Sequence, residues 1–300
     1  MSLRYPDLAA TGELGRRAAE ALAGLAACRA CPHECAIDRT AGECGVCRAG
    51  ELARVSSVGP HFGEEPPLVG RGGSGTVFFA WCNLHCVFCQ NYDISQLGHG
   101  EDVTASELAE VFLGVQRSGC ENLNLVSPTH FAPQILAALD IAASRGLDMP
   151  LVWNTGGYES LAMLALLDGV VDVYMPDLKY ADAPTAARLS GAADYPERAF
   201  AALREMHRQV GDLALDEHGI ARRGLLVRHL VLPGGLAGTP AVMTFLAEEI
   251  SRDTYVNVMD QYRPCHRADE HSEITRRVTA EEYADAVAAA RAAGLHRFAR

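Results

Sequence analysis

Long apolar runs and basic residues are both scarce in this sequence. No stretch of about 18 consecutive apolar residues occurs in its 300 residues, so we expect no membrane-spanning segment. Residues 1–7 lack the uninterrupted apolar core of a signal peptide, and the expected location is therefore cytoplasmic. The 26 basic residues are outnumbered by 38 acidic ones, for a formal net charge of −12. Because a phosphate backbone requires a basic surface, we expect no nucleic-acid partner.

Cysteine, by contrast, is plentiful, with ten residues in the chain. Disulfides are rare in proteins that are not exported, so these cysteines are interpreted as metal ligands. The apolar fraction of 49% is ordinary for a chain that buries a sizeable core, as one large domain or as two small ones.

Three of the cysteines, Cys82, Cys86 and Cys89, follow the apolar run 77–81 at the spacing C-x3-C-x2-C. Three thiolates on one short loop can hold three corners of a [4Fe–4S] cluster. A cluster held by protein alone takes four cysteines, so this loop leaves one iron without a protein ligand. Since an open metal position is where chemistry takes place, the loop predicts a catalytic cluster.

The same spacing, with the aromatic Phe88 just before the third cysteine, resembles the cluster loop of the radical S-adenosylmethionine (SAM) superfamily. In that superfamily the amino and carboxylate groups of SAM chelate the open iron. An electron from the cluster then cleaves SAM to methionine and a 5′-deoxyadenosyl radical, which abstracts hydrogen from a substrate. The resemblance implies an oxygen-sensitive enzyme with Phe88 against the adenine, and an external electron donor such as flavodoxin or ferredoxin.

A second group of cysteines lies upstream and predicts a further metal site. One choice of four ligands is Cys28, Cys31, Cys35 and Cys47, among glycines and a proline that mark tight turns. A different choice pairs Cys28 and Cys31 with Cys44 and Cys47 as a zinc ribbon, although the gap of 12 residues is short for one. The metal, zinc or an auxiliary Fe–S cluster, stays open.

Apolar runs and helical segments alternate through the rest of the chain. The predicted strands are 76–81, 122–127, 151–154, 170–176, 224–232 and 255–259, separated by helices such as 105–118, 132–144 and 161–168. Six β-then-α units imply an α/β fold with a parallel sheet. Because the cysteine loop follows the first strand, this pattern fits the partial (β/α)6 barrel of radical SAM enzymes.

The boundary of the barrel is predicted from composition. Residues 56–75 are rich in Gly and Pro and are interpreted as a linker. This divides the chain into a Cys-rich metal-binding extension at 1–70, with a leading helix near 13–27, and a barrel at 71–300. A capping box, Thr279 with Glu282, predicts the final helix.

Chemistry in such barrels collects at the carboxyl ends of the strands. Ser127 and Thr129, after the second predicted strand, stand where many radical SAM enzymes carry a Gly-Gly-Glu motif for the SAM amino group. Arg228 begins Arg-His-Leu-Val-Leu-Pro-Gly, which resembles the Arg-x-Val-Val-x-Pro-Gly of pyruvate formate-lyase activating enzymes. Its guanidinium fork matches carboxylate geometry, so we expect it to bind the SAM carboxylate.

Two further strand ends resemble those activating enzymes. The segments 154–157 (Asn-Thr-Gly-Gly) and 175–179 (Met-Pro-Asp-Leu-Lys) are similar to their Asp-Thr-Asn-Gly and Met-Leu-Asp-Leu-Lys. The resemblance implies a monovalent-cation cage beside SAM, with Lys179 near SAM or substrate. The cage residues would be Asn154, Thr155, Met175 and Asp177. Because Asn154 replaces a carboxylate, cation binding is expected to be weaker or absent.

The order of these segments is similar to that of the PflX-type radical SAM proteins, which are related to the activating enzymes. Two substrates are then open: a glycine of a partner glycyl radical enzyme, or a small molecule or peptide. In the second case Cys265 or Cys120 would return a hydrogen atom, as in an epimerase. A rival of another class is a non-catalytic Fe–S or zinc protein for electron transfer or scaffolding, with His85 as the fourth cluster ligand.

Overall fold

The computed structural model describes residues 3–299; Met1, Ser2 and Arg300, at the ends of the two predicted segments, lie outside this range. The strands are β1 (Ala53–His61), β2 (Ser74–Phe79), β3 (Glu101–Val103), β4 (Leu123–Val126), β5 (Leu151–Thr155), β6 (Val173–Pro176), β7 (Ala214–Leu215), β8 (Ala221–Leu230), β9 (Tyr255–Met259) and β10 (Arg297–Phe298). The α-helices are α1 (Tyr5–Ala10), α2 (Glu13–Ala23), α3 (Pro66–Val69), α4 (Tyr92–Ser95), α5 (Ala105–Arg117), α6 (Ala132–Ser144), α7 (Leu161–Leu167), α8 (Ala183–Ser190), α9 (Tyr195–Val210), α10 (Thr239–Phe245) and α11 (Ala280–Ala292). Short 3₁₀ turns lie at Gly24–Ala27, Arg39–Ala41, Thr129–Phe131, Pro233–Gly235, Ala268–Glu270 and Ser272–Ile274, and a π turn at Leu246–Ile250.

The strands form one sheet in the order β10-β9-β8-β6-β5-β4-β2-β1-β3, with β7 paired to β8. Along this order every neighbouring pair from β2 to β10 is parallel, whereas β1 and β3 are antiparallel additions at one edge. The short strand β7 pairs antiparallel with β8. Helices connect the parallel strands, as crossovers require. The predicted fold class, an α/β partial barrel with six main parallel strands after a Cys-rich N-terminal region, is confirmed.

The register of the parallel strands places their carboxyl ends side by side, at one end of the barrel. Val126 of β4 lies opposite Phe78 of β2 and Asn154 of β5, and Asn154 lies opposite Met175 of β6. Just beyond β6, Asp177 forms a bridge with Arg228 of β8. The residues predicted from separate strand ends therefore meet at one place.

Two apolar layers hold the sheet. The larger lies between the sheet and the helices, and there α6 packs on both α2 and α5. The smaller fills the concave side and includes Val152, Val173, Met175 and Leu226, all fully buried. Alternate residues of each strand face alternate layers. Trp153 therefore faces the helices, whereas its neighbour Val152 faces the barrel interior.

Capping residues define the ends of several helices. Thr104 and Glu107 form a capping box at α5, and the predicted box of Thr279 and Glu282 is present at α11. Each box satisfies two backbone donors that would otherwise lack acceptors, which fixes where the helix begins.

The interpretation of residues 56–75 as a linker is wrong. Strand β1 covers 53–61 and pairs with β2 over six residue pairs, so the chain enters the sheet well before residue 71. After β1 the chain turns into α3, whose Leu68 is fully buried in the smaller apolar layer. Gly and Pro mark the turns of this segment, but the segment itself lines the barrel.

None of the helices within residues 3–299 is long and apolar enough to cross a membrane.

Candidate active site

The cysteine loop begins with a sharp change of chain direction at the carboxyl end of β2. Trp81 has φ 66°, a left-handed conformation that costs a non-glycine residue about 1–3 kcal/mol. Its backbone N–H donates to the carbonyl of Ile94 at 3.0 Å, and the Arg48 guanidinium lies 5.6 Å from its ring centroid. These contacts hold the turn that presents Cys82.

Each sulfur of the loop has a hydrogen-bonding neighbour. The N–H of Leu84 donates to Cys82 Sγ at 3.4 Å and the hydroxyl of Ser190 donates to Cys86 Sγ at 3.0 Å, while Ser95 Oγ lies 3.1 Å from Cys89 Sγ. All three cysteines are free. Hydrogen bonds to ligand sulfurs are a feature by which proteins tune Fe–S clusters.

The thiols lie in an environment that resists an unbalanced negative charge. Burial raises the pKa of Cys82 to about 12 and also raises the pKa of Cys86, while Lys179 acts on both in the opposite direction. A bound metal removes such protons outright, because its charge stabilises the thiolate. The loop is therefore suited to a strongly positive group and not to free thiolates.

Three cysteines on one loop match a [4Fe–4S] cluster, which places each cysteine on a different iron. A structural zinc ion takes four ligands, and this loop supplies three. Within residues 3–299, no three His, Cys, Asp or Glu side chains are already arranged to hold a single ion.

His85, the candidate for a fourth ligand, is held elsewhere. Its Nδ1 lies 2.8 Å from Gln96 Oε1, and its Nε2 lies 3.0 Å from the carbonyl oxygen of Val46. Both ring nitrogens thus have oxygen partners away from the three sulfurs. In this arrangement His85 therefore supplies no ligand to a cluster at this loop.

A charged triad lies next to the loop. Asp177 accepts from Lys179 Nζ at 2.6 Å and from Arg228 Nε at 2.8 Å. Burial alone would raise the pKa of Asp177, but the two cations outweigh it and lower the pKa to about 2. The pKa values of Lys179 and Arg228 are raised by the same partner against the effect of burial. All three groups are therefore charged at neutral pH.

The predicted cation cage is only partly assembled. Asn154 and Asp177 come together, but on the Arg228 guanidinium, whose Nη2 donates to Asn154 Oδ1 at 2.8 Å. Thr155 points to the helix side of β5, where its hydroxyl lies 3.1 Å from that of Thr129. The guanidinium thus occupies the place between Asn154 and Asp177 where the resemblance implies a monovalent cation.

Both threonine hydroxyls donate to Glu159, a residue that the sequence analysis missed. Its Oε1 also accepts from Trp153 Nε1 at 3.3 Å, and its Oε2 is buried with no protein partner among the described residues. Burial raises the pKa of Glu159 to about 7, against the effect of the three donors. The signal in the sequence was slight: one Glu four residues beyond Thr155.

The remaining predicted residues lie around the loop. Ser127 has φ 56°, and its N–H donates to the Asn154 carbonyl at 2.8 Å. Phe88 is buried, with its ring edge-on to Tyr262 at 5.7 Å between centroids. Cys265 lies beside the cysteine loop, since Arg267 N–H, two residues on, donates to the Val87 carbonyl at 2.8 Å.

Cys120 lies at the opposite end of the parallel strands, near their amino ends. A Cβ placed on Gly75, near the start of β2, would come 3.0 Å from Cys120 Cβ. The cysteine loop follows the other end of β2, so the length of the strand separates Cys120 from it.

A cavity of about 590 Å³ opens at the barrel mouth beside the triad. Its walls include Asn154, Arg228 and Asn257 from three parallel strands. They also include Glu64 and Glu65 from the segment misinterpreted as a linker. Arg228 belongs to the triad, and Asn154 accepts a hydrogen bond from it. A molecule in this cavity therefore lies beside the triad, which is next to the cysteine loop.

The N-terminal cysteines form a second group. Cys47, Cys28 and Cys35 are electrostatic neighbours of Cys31, whereas Cys44 is exposed and has no place among them. A Cβ on Gly45 would approach Cys35 Sγ to 2.8 Å, so only glycine gives that sulfur its room. This arrangement favours the set of four without Cys44.

A buried arginine completes this second group. Arg39 is 1% exposed, and its Nη1 lies 3.7 Å from Cys28 Sγ while donating to the His130 carbonyl at 2.8 Å. Its Nε and Nη2 donate to the Gly50 carbonyl, so its hydrogen bonds to oxygen all go to neutral carbonyl groups. A buried cation of this kind is suited to a negatively charged neighbour, such as four thiolates on a metal.

The two cysteine groups are in direct contact through histidines. His33 Nε2, between Cys31 and Cys35, lies 2.8 Å from the carbonyl oxygen of Asn83 in the cysteine loop. The contact of His85 with Val46, next to Cys47, forms a second bridge.

Three of the matches to known proteins describe what this chain is similar to. Residues 76–215 match the sequence model of the family described as the Radical SAM superfamily. The uncharacterized protein MJ0674 of Methanocaldococcus jannaschii is 34% identical over 265 residues, 85% of this chain and 71% of that protein. The crystal structure of Streptococcus suis SuiB bound to precursor peptide SuiA aligns with a TM-score of 0.48 and 13% identity, over 73% of this chain. This chain covers 46% of the SuiB chain, under half of its length.

Proposed function

Because this chain belongs to the radical SAM superfamily, we propose that it cleaves SAM reductively at a [4Fe–4S] cluster on Cys82, Cys86 and Cys89. When bound, the reduced cluster supplies one electron, which breaks a C–S bond of SAM and yields methionine and a 5′-deoxyadenosyl radical that takes hydrogen from a substrate. The observation that carries this proposal is the loop of three free cysteines, each with a hydrogen-bonding neighbour, beside a histidine committed elsewhere.

The charged triad is proposed to position SAM. Lys179 offsets the negative charge of the ligand sulfurs, since it lies within electrostatic reach of Cys82 and Cys86. Arg228 supplies the positive charge that a monovalent cation gives in the activating enzymes. Its Nη1 is 3.8 Å from Glu64, too far for a hydrogen bond, and is the nitrogen proposed to receive the SAM carboxylate.

Other groups are assigned by position. Phe88, fixed against Tyr262, is proposed to contact the adenine, and the Ser127 hydroxyl to accept from the SAM amino group. Thr129 and Thr155 are bound to Glu159 on the helix side, so their proposed part is to hold the loops after β4 and β5 in place.

For the substrate we propose an activase-like reaction, hydrogen abstraction from a glycine of a partner glycyl radical enzyme. A cavity of about 590 Å³ can receive a peptide loop. The same volume and polar walls suit a small molecule or free peptide, which is the second candidate. Trapping a glycyl radical on a partner supports the first, and solvent deuterium in a small product, lost in Cys265→Ala, supports the second.

We further propose that Cys28, Cys31, Cys35 and Cys47 hold a second metal, zinc or an Fe–S cluster. The buried Arg39 supports a negatively charged group there. Metal analysis of purified protein should show that Cys47→Ala loses this metal and that Cys44→Ala keeps it. Equal loss in both variants would contradict the assignment, and the element lost identifies the group.

The electron is proposed to come from a flavodoxin or ferredoxin in the cytoplasm. Contacts between the two cysteine groups at His33 and at His85 would let an Fe–S cluster at the second site pass it on.

The test of the main proposal is anaerobic reconstitution followed by measurement of 5′-deoxyadenosine. Wild-type protein should bind about four irons at the loop and form 5′-deoxyadenosine when SAM and reductant are added. Cys82→Ala, Cys86→Ala and Cys89→Ala should each abolish this product. Cys120→Ala, at the far end of the parallel strands, is the matched control and should retain it. Product formation by Cys82→Ala would contradict the proposal.

A further inference from the structure

The segment between β1 and β2 brings two carboxylates into the barrel. Leu68 is buried with Val152 and Met175 on the concave side of the sheet, and this contact anchors the segment. The residues just before α3, Glu64 and Glu65, consequently lie on the wall of the cavity.

Glu65 is a buried carboxylate with half of its acceptors unused. Its side chain is 5% exposed, and Oε1 accepts from Asn257 Nδ2 at 2.9 Å. Oε2 is buried and has no partner among residues 3–299. A buried carboxylate oxygen without a donor is costly, so a site that retains one is suited to a ligand that supplies the donor.

Glu64 adds a second carboxylate without adding a matching cation. Its Oε1 lies 3.1 Å from His61 Nδ1, and its Oε2 lies 3.8 Å from Arg228 Nη1. Arg228 is already paired with Asp177 at 2.8 Å. One guanidinium therefore faces three carboxylates, those of Asp177, Glu65 and Glu64. Among the described residues, the side-chain hydrogen bond of Glu65 comes from the neutral amide of Asn257.

A primary ammonium group fits this site better than a metal ion. Two glutamates and one amide supply fewer oxygen ligands than Ca²⁺ or Mg²⁺ takes, and no three His, Cys, Asp or Glu side chains in the described part of the chain form a single-ion site. A primary ammonium group has three donors and one positive charge, and it can satisfy Glu65 Oε2 together with a neighbouring oxygen.

We propose that Glu64 and Glu65 form an acceptor site on the barrel wall that binds a primary ammonium group of a ligand held in the cavity. We assign this group to the substrate, because the amino group of SAM is expected on the open iron. A role for this site in catalysis rests on the proposed function. Its affinity for an ammonium group does not depend on that function.

The probe is 1-aminopentane, compared with the neutral 1-pentanol, with binding followed by NMR or by thermal shift on anaerobically purified protein. Wild type should bind the amine in preference to the alcohol. Glu65→Gln keeps the size of the side chain but removes its charge, and should weaken amine binding about tenfold, as expected for one lost charged hydrogen bond. Glu51→Gln, at an exposed position, should bind as wild type does. Glu64→Gln serves as the second variant if Glu65→Gln does not fold.

Measurement of SAM binding separates the substrate from SAM as the source of the ammonium group. If the amine competes with SAM and Glu65→Gln weakens SAM binding about tenfold, the site binds SAM and the assignment to the substrate is wrong. If the amine binds alongside SAM and Glu65→Gln leaves SAM affinity unchanged, the group belongs to the substrate. Equal binding of amine and alcohol, or unchanged amine binding in Glu65→Gln and Glu64→Gln, would overturn the inference. If wild-type protein forms no 5′-deoxyadenosine, the proposed function is wrong. The measurement of amine binding would still test this inference, because binding needs no turnover.

Discussion

At the residue scale, the site is built from charges that are paired before any ligand arrives. Asp177 holds Lys179 and Arg228, and its pKa of about 2 keeps it ionised over the whole neutral range. Prepaired charges need little reorganisation when a charged molecule binds, which is how enzymes position reactive groups in a dry site. The triad therefore fixes the geometry beside the cysteine loop.

Glu159 gives a prediction about pH. Its pKa is about 7 in the folded protein and 4.5 in an exposed carboxyl, so folding favours the protonated form. That contribution to stability is complete below pH 4.5 and is lost as the pH rises through 7. The loss is about 3 kcal/mol, from 1.36 kcal/mol per pKa unit. Relative to wild type, Glu159→Gln should therefore gain about 3 kcal/mol of unfolding free energy between pH 4.5 and about 8.

Denaturant unfolding of both proteins at several pH values measures this difference. Other buried groups also titrate, including His130 and His229, whose pKa values burial lowers to about 4, and the subtraction of wild type removes their effect. A difference between the two proteins that stays constant with pH would contradict the raised pKa of Glu159.

Ser190 gives a prediction about the cluster. Its hydroxyl donates to Cys86 Sγ at 3.0 Å, and such a donor stabilises the more negative, reduced state. Ser190→Ala should lower the reduction potential by up to about 40 mV, the one-electron equivalent of ~1 kcal/mol. Redox titration by EPR checks this, with the exposed Ser144→Ala as control. An unchanged potential in Ser190→Ala would mean that the hydroxyl does not bond the ligand sulfur.

The residues that sequence reasoning missed share a physical cause. Glu159 meets Thr129 across two strands, and Glu65 meets Asn257 across most of the chain. No periodicity or local spacing records such contacts, because strand order and register create them. Cys82, Cys86 and Cys89 were accessible to sequence reasoning because one short loop contains all three.

At the element scale, the segment from β1 to α3 closes the barrel interior. Strand β1 extends the sheet beyond β2. Helix α3 places Leu68 in the smaller apolar layer, together with side chains of β5, β6 and β8. Composition pointed to a linker because Gly and Pro dominate its turns. Parallel strands β4, β5 and β9 were predictable to within two residues, since they are short apolar runs bounded by polar turns.

Leu68→Ala tests this closure. Removing a fully buried leucine side chain should cost about 2–5 kcal/mol of unfolding free energy, since the surrounding strands cannot collapse into the space. Leu97→Ala is the control, because Leu97 is 54% exposed and its loss should cost less than about 0.5 kcal/mol. Urea unfolding measures both, and equal small losses would show that the segment is not packed in the barrel.

At the scale of the whole molecule, the N-terminal segment and the barrel each contribute a group of cysteines, and the two groups are in contact. Residues 28–50 contain a single 3₁₀ turn, Arg39–Ala41, and little other regular structure. Their contacts to the barrel include those of Arg39 with His130, His33 with Asn83, and Val46 with His85. Because this segment has little regular secondary structure to hold its backbone, we expect its order to depend on a bound metal.

Limited proteolysis tests that dependence. Cys47→Ala should make residues 28–50 sensitive to protease, because the variant loses the proposed metal that would tie them together, whereas the barrel stays protected. Cys44→Ala, at an exposed thiol outside the group, should be cleaved no faster than wild type. Equal protection of Cys47→Ala and wild type would show that the segment holds its fold without metal.

The central claim, an iron at the cysteine loop left open for SAM, is tested most directly by spectroscopy of the cluster. The measurement is Mössbauer and EPR spectroscopy of ⁵⁷Fe-reconstituted protein, recorded with and without SAM. The account predicts one iron distinct from the other three, whose signals change when SAM is added. Four equivalent irons with full protein ligation, and spectra that SAM leaves unchanged, would contradict it.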